Sequence, residues 1–91
     1  MKFTEWVKMI EILKLYSEKK QLQKEVEILE EEFRQLMVVA YMQLKRVTTQ
    51  EEIDDVNTGI GKVTSHYTTK LNRIKNRLID IRNRLNELTG M

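Results

Sequence analysis

The sequence predicts an all-α protein. Two long helices form an antiparallel, coiled-coil-like helical hairpin, and two hairpins dimerise into a four-helix bundle. Apolar residues of the second half recur at spacings of three and four, which places them on one helix face, and the first half repeats this spacing. Pro is absent and only three Gly interrupt the 91 residues, of which 33% are charged and 41% hydrophobic. That composition is typical of amphipathic helices.

The first helix is predicted over residues 4–46, with Thr4 as its start and Glu5 in the first turn. Four polar residues at 17–20 interrupt the apolar spacing. Without Pro or Gly there we expect a continuous helix, bent at this point, and a short break is the alternative. The predicted contact stripe consists of Phe3, Trp6, Ile10, Leu13, Leu22, Val26, Leu29, Phe33, Leu36, Ala40, Leu44 and Val47. Four further apolar residues fall outside it: Val7, Ile12, Leu15 and Ile28.

The turn is predicted at 47–49 and the second helix at 50–89. Thr49 and Glu52 form a capping box, which marks a helix start, and Gly90 is the expected C-cap. Gly59 and Gly61 weaken the helix early, so we expect a kink at 57–61; a third helix, separated by a break at 57–59, is the alternative. The stripe of this helix consists of Ile53, Val56, Ile60, Val63, Tyr67, Leu71, Ile74, Leu78, Ile81, Leu85 and Leu88.

The coiled-coil pattern is strongest near the C-terminus, where residues 74–80 and 81–87 repeat one heptad of similar residues. The spacing Val63, Tyr67, Leu71 is a stutter, which locally unwinds a left-handed coiled coil. Because the two helices have nearly equal lengths and a short connection, they are expected to pack as an antiparallel pair in one domain spanning 1–91.

Self-association is predicted from apolar residues that one partner helix cannot cover. The run 36–42 is apolar on every side of the helix, and a single neighbour buries only one side. Scattered exposed apolar residues are the alternative, since these are common on protein surfaces. We therefore expect a homodimer that also offers apolar helix faces to a protein partner. The predicted interface residues are Trp6, Ile10, Leu13, Met37, Val38, Tyr41 and Met42.

Charge is distributed unevenly along the chain. Residues 25–72 contain nine acidic and five basic side chains, whereas the remainder contains five acidic and eleven basic ones. A hairpin that turns at Thr48 would place Arg77 near Lys20 and Arg73 near Lys24, so bases should crowd at its open end. The acidic half of a second hairpin or a phosphate backbone could neutralise them; a solvated surface is the alternative. The candidate anion or nucleic-acid contacts are Lys19, Lys20, Lys24, Arg73, Arg77, Arg82 and Arg84.

Catalytic and metal chemistry have little support in the residues. Cys is absent and His66 is the only histidine, so the usual zinc ligand sets are excluded. Ser65 and His66 are adjacent, and adjacent side chains on a helix do not face each other, which argues against nucleophilic catalysis. We expect no cofactor, no metal and no enzymatic activity.

The sequence predicts a structural or adaptor protein that self-associates and binds a protein partner. The alternative is a small dimeric RNA- or DNA-binding protein that uses the basic open end. Membrane contact is disfavoured, because Glu5 and Glu11 dilute the positive charge around the N-terminal apolar face. No signal peptide or membrane span is recognised, and a cytoplasmic location is expected.

Overall fold

The computed structural model describes residues 2–90 and consists of two long helices, α1 (Phe3–Arg46) and α2 (Gln50–Thr89). The helices pack side by side as an antiparallel hairpin with dimensions of 71 × 17 × 15 Å. Pairs across the interface show the direction, since Glu11 contacts Arg84 and Glu18 contacts Arg77. The all-α helical hairpin that the sequence predicts is confirmed.

Helix α1 is continuous over 44 residues and passes through the polar segment 17–20 without a break. Its N-cap is Lys2, which makes no side-chain capping hydrogen bond, so Thr4 lies inside the first turn and the predicted start was wrong by one residue. The helix ends where Val47 turns to an extended conformation and donates its N–H to the Gln43 carbonyl. Lys45 and Arg46 occupy the last turn, where basic side chains complement the helix dipole.

Helix α2 begins and ends at the predicted signals. The Thr49 side chain accepts a hydrogen bond of 3.2 Å from the Glu52 N–H, as a capping residue does. Gly90 adopts a left-handed conformation with φ of 76°, which favours glycine because it has no Cβ. Between these caps the helix is uninterrupted, including residues 57–61, so the alternative of a third helix was wrong.

The α2 stripe, defined as the eleven apolar residues predicted to face α1, lies against α1 along its whole length. Each of these residues is buried or half-buried, and every other residue of α2 is exposed. A helix with a single apolar stripe has only one way to bury it, so the sequence alone defines this face.

The stripe on α1 differs from the predicted one in its N-terminal third. Ile12 and Leu15 contact α2, whereas Ile10 and Leu13 point to solvent. The reason is helical phase: Leu13 and Leu22 are nine residues apart, about two and a half turns, and lie on opposite sides of an unbroken helix. The residues of α1 that are buried or half-buried along this stripe are Ile12, Leu15, Leu22, Val26, Leu29, Phe33, Met37, Ala40 and Leu44, followed by Val47 at the C-cap.

A second correction concerns Leu36 and Met37. The sequence predicts Leu36 on the contact stripe and Met37 in an outer interface. In the structure Leu36 is 44% exposed and Met37 is half-buried, because Met37 continues the stripe four residues after Phe33.

The best-packed part of the hairpin lies at its open end. Leu15 of α1 packs with Ile81, Leu85 and Leu88 of α2, and Ile12 and Leu22 complete the cluster. Ile81 has no exposed surface. The repeated heptad at 74–87 supplies the α2 side of this cluster, so the strongest sequence pattern coincides with the deepest burial.

Aromatic packing fills the interface at the stutter. The centres of the Phe33 and Tyr67 rings lie 5.5 Å apart, a separation typical of interacting aromatic pairs, and the ring planes are tilted by 40°. The Tyr67 hydroxyl donates a hydrogen bond of 3.3 Å to the Glu32 carboxylate. Partial burial and the nearby negative charge of Glu32 raise the pKa of Tyr67.

Candidate protein-interaction surface

The first exposed apolar surface lies on the N-terminal third of α1. Phe3 and Leu13 are 78% and 64% exposed, although both are large apolar side chains. Since Ile12 and Leu15 occupy the side that faces α2, the other sides of this segment have no neighbour in the hairpin. We define the N-terminal patch as Phe3, Trp6, Val7, Met9, Ile10, Leu13 and Tyr16, all exposed.

The second exposed apolar surface lies further along the same helix. Met37 and Ala40 of the run 36–42 are half-buried towards α2, and the other five residues of the run are exposed. We define the central patch as Leu36, Val38, Val39, Tyr41 and Met42.

The two helices differ sharply in what they present to solvent. Of the fourteen large apolar side chains exposed among residues 2–90, thirteen belong to α1 and only Ile79 belongs to α2. Isolated exposed apolar residues are ordinary, but contiguous apolar patches mark interaction surfaces. The unpartnered surface of this hairpin is therefore a property of α1.

Six of the seven predicted interface residues lie in these patches: Trp6, Ile10, Leu13, Val38, Tyr41 and Met42. The seventh, Met37, lines a groove of about 450 Å³ between the helices, together with Val56, Ile60 and Val63 of α2. The predicted list of interface residues leaves out the other members of the patches, namely Phe3, Val7, Met9, Tyr16, Leu36 and Val39, although the predicted apolar run 36–42 contains the last two. If α1 is continuous and Leu22 faces α2, the helical periodicity turns the residues of the N-terminal patch away from α2, and this signal would have identified them.

At the predicted basic end, Arg77 and Arg84 have acidic partners within the hairpin, which the sequence did not predict. Arg77 forms a two-point ion pair with Glu18, with distances of 2.7 and 2.9 Å. Arg84 pairs in the same way with Glu11, at 2.8 and 3.2 Å, and also contacts Glu87. The helix register places these acids, rather than Lys20, opposite the arginines.

These ion pairs shift the pKa values of both partners. Hydrogen bonds from Arg84 and Arg77 lower the pKa of Glu11 and Glu18, and the same contacts raise the pKa of the two arginines. The four side chains keep between 38% and 48% of their surface exposed, so each pair contributes little to the stability of the fold.

The other five basic candidates do not take part in the ion pairs described above. Within residues 2–90, no ion pair shorter than 4.0 Å involves Lys19, Lys20, Lys24, Arg73 or Arg82. Lys19 lies over the Tyr16 ring, with Nζ 6.0 Å from its centre. Arg73 borders a groove of about 340 Å³ whose other lining residues are Glu25, Ile28, Leu29, Lys70 and Ile74.

His66 contributes an edge-on contact with the Tyr67 ring at 5.5 Å. Within the described part of the chain, no three His, Cys, Asp or Glu side chains come together in a group that could hold a metal ion. Neither helix, over residues 2–90, contains a stretch long and apolar enough to span a membrane. Comparison with protein-family models, with curated proteins and with solved structures gives no match.

Proposed function

We propose that the protein is a non-enzymatic structural or adaptor module that self-associates through α1 and binds a protein partner through the same helix. The observation that carries this proposal is the concentration of exposed apolar side chains on α1, thirteen of the fourteen found among residues 2–90. Burying such patches between subunits is favourable at about 25 cal/mol per Å² of apolar surface removed from water.

The proposed homodimer is a four-helix assembly in which each hairpin contributes two helices. A hairpin of two helices buries little: only four apolar side chains among residues 2–90 are buried. A second layer of helices would enlarge the core without any change in the fold of the hairpin, as in helix bundles generally.

Sedimentation equilibrium tests the proposal directly. We expect the mass of a dimer at tens of micromolar protein, and a monomer with full helicity would refute self-association. Val38→Glu introduces a charge into the central patch and should shift the equilibrium to the monomer. Ile79→Glu is the matched control, because it places the same charge on the exposed side of α2 and should leave the mass unchanged.

The single tryptophan gives a second measurement. Trp6 belongs to the N-terminal patch and is 53% exposed in the hairpin. If this patch is an interface, Trp6 fluorescence should move to longer wavelength as the protein is diluted through the dissociation range. Emission that is independent of concentration while the mass changes would exclude the N-terminal patch from the dimer interface.

Nucleic-acid binding is the second candidate function, favoured by five basic residues that form no ion pair shorter than 4.0 Å within residues 2–90: Lys19, Lys20, Lys24, Arg73 and Arg82. Phosphate contacts by lysine and arginine weaken steeply with salt. A gel-shift titration with random RNA and DNA at low and moderate salt tests it. Binding whose affinity falls as salt is raised, and which is lost in Arg73→Glu, would support this function. The absence of a gel shift at low salt would exclude nucleic-acid binding.

A further inference from the structure

The outer surface of α1 carries a regular line of residues on the side opposite α2. Residues nine positions apart in a helix are separated by about two and a half turns and therefore lie on opposite sides. Each residue of this outer line is nine positions away from a residue of the buried stripe. Trp6 and Lys24 lie opposite Leu15, and Leu13 and Glu31 lie opposite Leu22. We define the outer line as Trp6, Leu13, Lys24, Glu31, Val38 and Met42, all of which are exposed.

Two arrangements of a second copy would cover both patches of this line. In a parallel pair of α1 helices, each patch would meet itself. In an antiparallel pair, the N-terminal patch of each copy would meet the central patch of the other. Both arrangements are symmetric, so the apolar residues alone leave the choice between them open.

The charged residues between the patches decide the orientation. Along the exposed outer side, two bases, Lys20 and Lys24, come first, and two acids, Glu27 and Glu31, follow. A parallel pair would place like charges opposite each other, whereas an antiparallel pair opposes bases with acids. Charge complementarity of this kind selects orientation and register more than it adds affinity.

We propose that two copies of this chain pack α1 against α1 in antiparallel orientation, with the twofold axis between Lys24 and Glu27. In this register Lys20 faces Glu31 of the other copy and Lys24 faces its Glu27. The same register brings Leu13 to Val38. This inference rests on the proposed self-association and specifies its geometry.

One further feature agrees with this register. Glu5 lies beside Lys45 of the other copy, which adds a third pair of opposite charges at each end of the interface. Glu31 already accepts two hydrogen bonds from Arg34 and one from Gln35 of its own helix, and its side chain remains 49% exposed, so Lys20 of the other copy would add to these contacts. The two α1 helices then lie in the centre of the assembly and the two α2 helices outside.

Disulfide trapping tests the register, because the chain has no native cysteine. Leu13→Cys and Val38→Cys are prepared separately; both positions are exposed in the hairpin, so neither change disturbs its core. The two variants are mixed, allowed to exchange subunits and oxidised gently. The antiparallel register predicts a Leu13→Cys to Val38→Cys crosslink in the mixture, several-fold faster than either variant crosslinks with itself.

Ile79→Cys is the matched control, since it is 46% exposed on α2 and lies outside the proposed interface. It should crosslink with neither variant at a comparable rate. Faster crosslinking of each variant with itself than with the other would overturn the antiparallel register, and efficient crosslinking of Ile79→Cys would overturn the α1–α1 contact. In both cases a dimer mass in sedimentation would leave self-association intact, whereas a monomer mass would refute the proposed function itself.

Discussion

Truncation of Ile81 is the sharpest test of how the hairpin is stabilised. Ile81 has no exposed surface and packs in the cluster formed with Leu15, Leu85 and Leu88. Ile81→Ala removes three buried carbons, worth about 0.8 kcal/mol each, and leaves a cavity that adds to the cost. We expect the free energy of unfolding to fall by about 3 kcal/mol.

For a chain of this size, such a loss corresponds to a decrease in Tm of roughly 12–24 °C. Urea denaturation followed by far-UV circular dichroism measures the change, with all variants at one protein concentration because self-association would raise the apparent stability.

Ile79→Ala provides the matched control, since it removes the same carbons two positions away, where the side chain is 46% exposed. Its free energy of unfolding should change by about 0.5 kcal/mol or less. Equal losses at the two positions would refute the assignment of the core to the side of α2 that carries Ile81.

Three further predictions concern caps, glycines and pH. Gly59→Ala should stabilise α2 by about 0.5–1 kcal/mol in urea denaturation, because alanine favours a helix over glycine and a Cβ at this position meets no atom within 4 Å. Gly90→Ala should instead destabilise α2 by about 1 kcal/mol, because the φ of 76° at this position is unfavourable for a residue with a Cβ. Thr49→Ala should lower the free energy of unfolding by about 1 kcal/mol through loss of the Glu52 N–H cap; an unchanged denaturation midpoint would contradict this. The hydrogen bond from Arg77 lowers the pKa of Glu18 in the folded protein. The ionised Glu18 therefore stabilises the fold above its unfolded-state pKa, and this contribution is lost as pH falls through the folded-state pKa. Glu18→Gln should flatten the decline in Tm below about pH 5, because the glutamine does not titrate.

Local signals in the sequence predicted the elements well. The Thr49–Glu52 box and Gly90 marked the ends of α2, because capping depends on residues within one turn. The lack of Pro and Gly at 17–20, and an apolar stripe that stays in register across 57–61, predicted continuous helices through both weak segments, as found. A start at Thr4 was wrong, because the helix begins one residue earlier without a side-chain cap.

The surface residues on α1 were harder to assign. Between residues 3 and 16, apolar side chains occupy both the side of Trp6 and Leu13 and the side of Ile12 and Leu15. Either side could be buried if the helix were broken at 17–20. The arginine pairs were missed for a related reason: a register shifted by about two residues exchanges Lys20 for Glu18 opposite Arg77.

The sequence by itself determined where α2 begins and ends and which stripe of α2 is buried, because α2 has a single apolar face and burial has no alternative. Only the tertiary structure decided which side of the N-terminal part of α1 meets α2. An unbroken helix carries the phase of Leu22 back to Leu15 and Ile12, and Trp6, Ile10 and Leu13 are thereby turned to solvent. That choice depends on the continuity of a helix 44 residues long and on the register of its partner, and neither is encoded in a local window of residues.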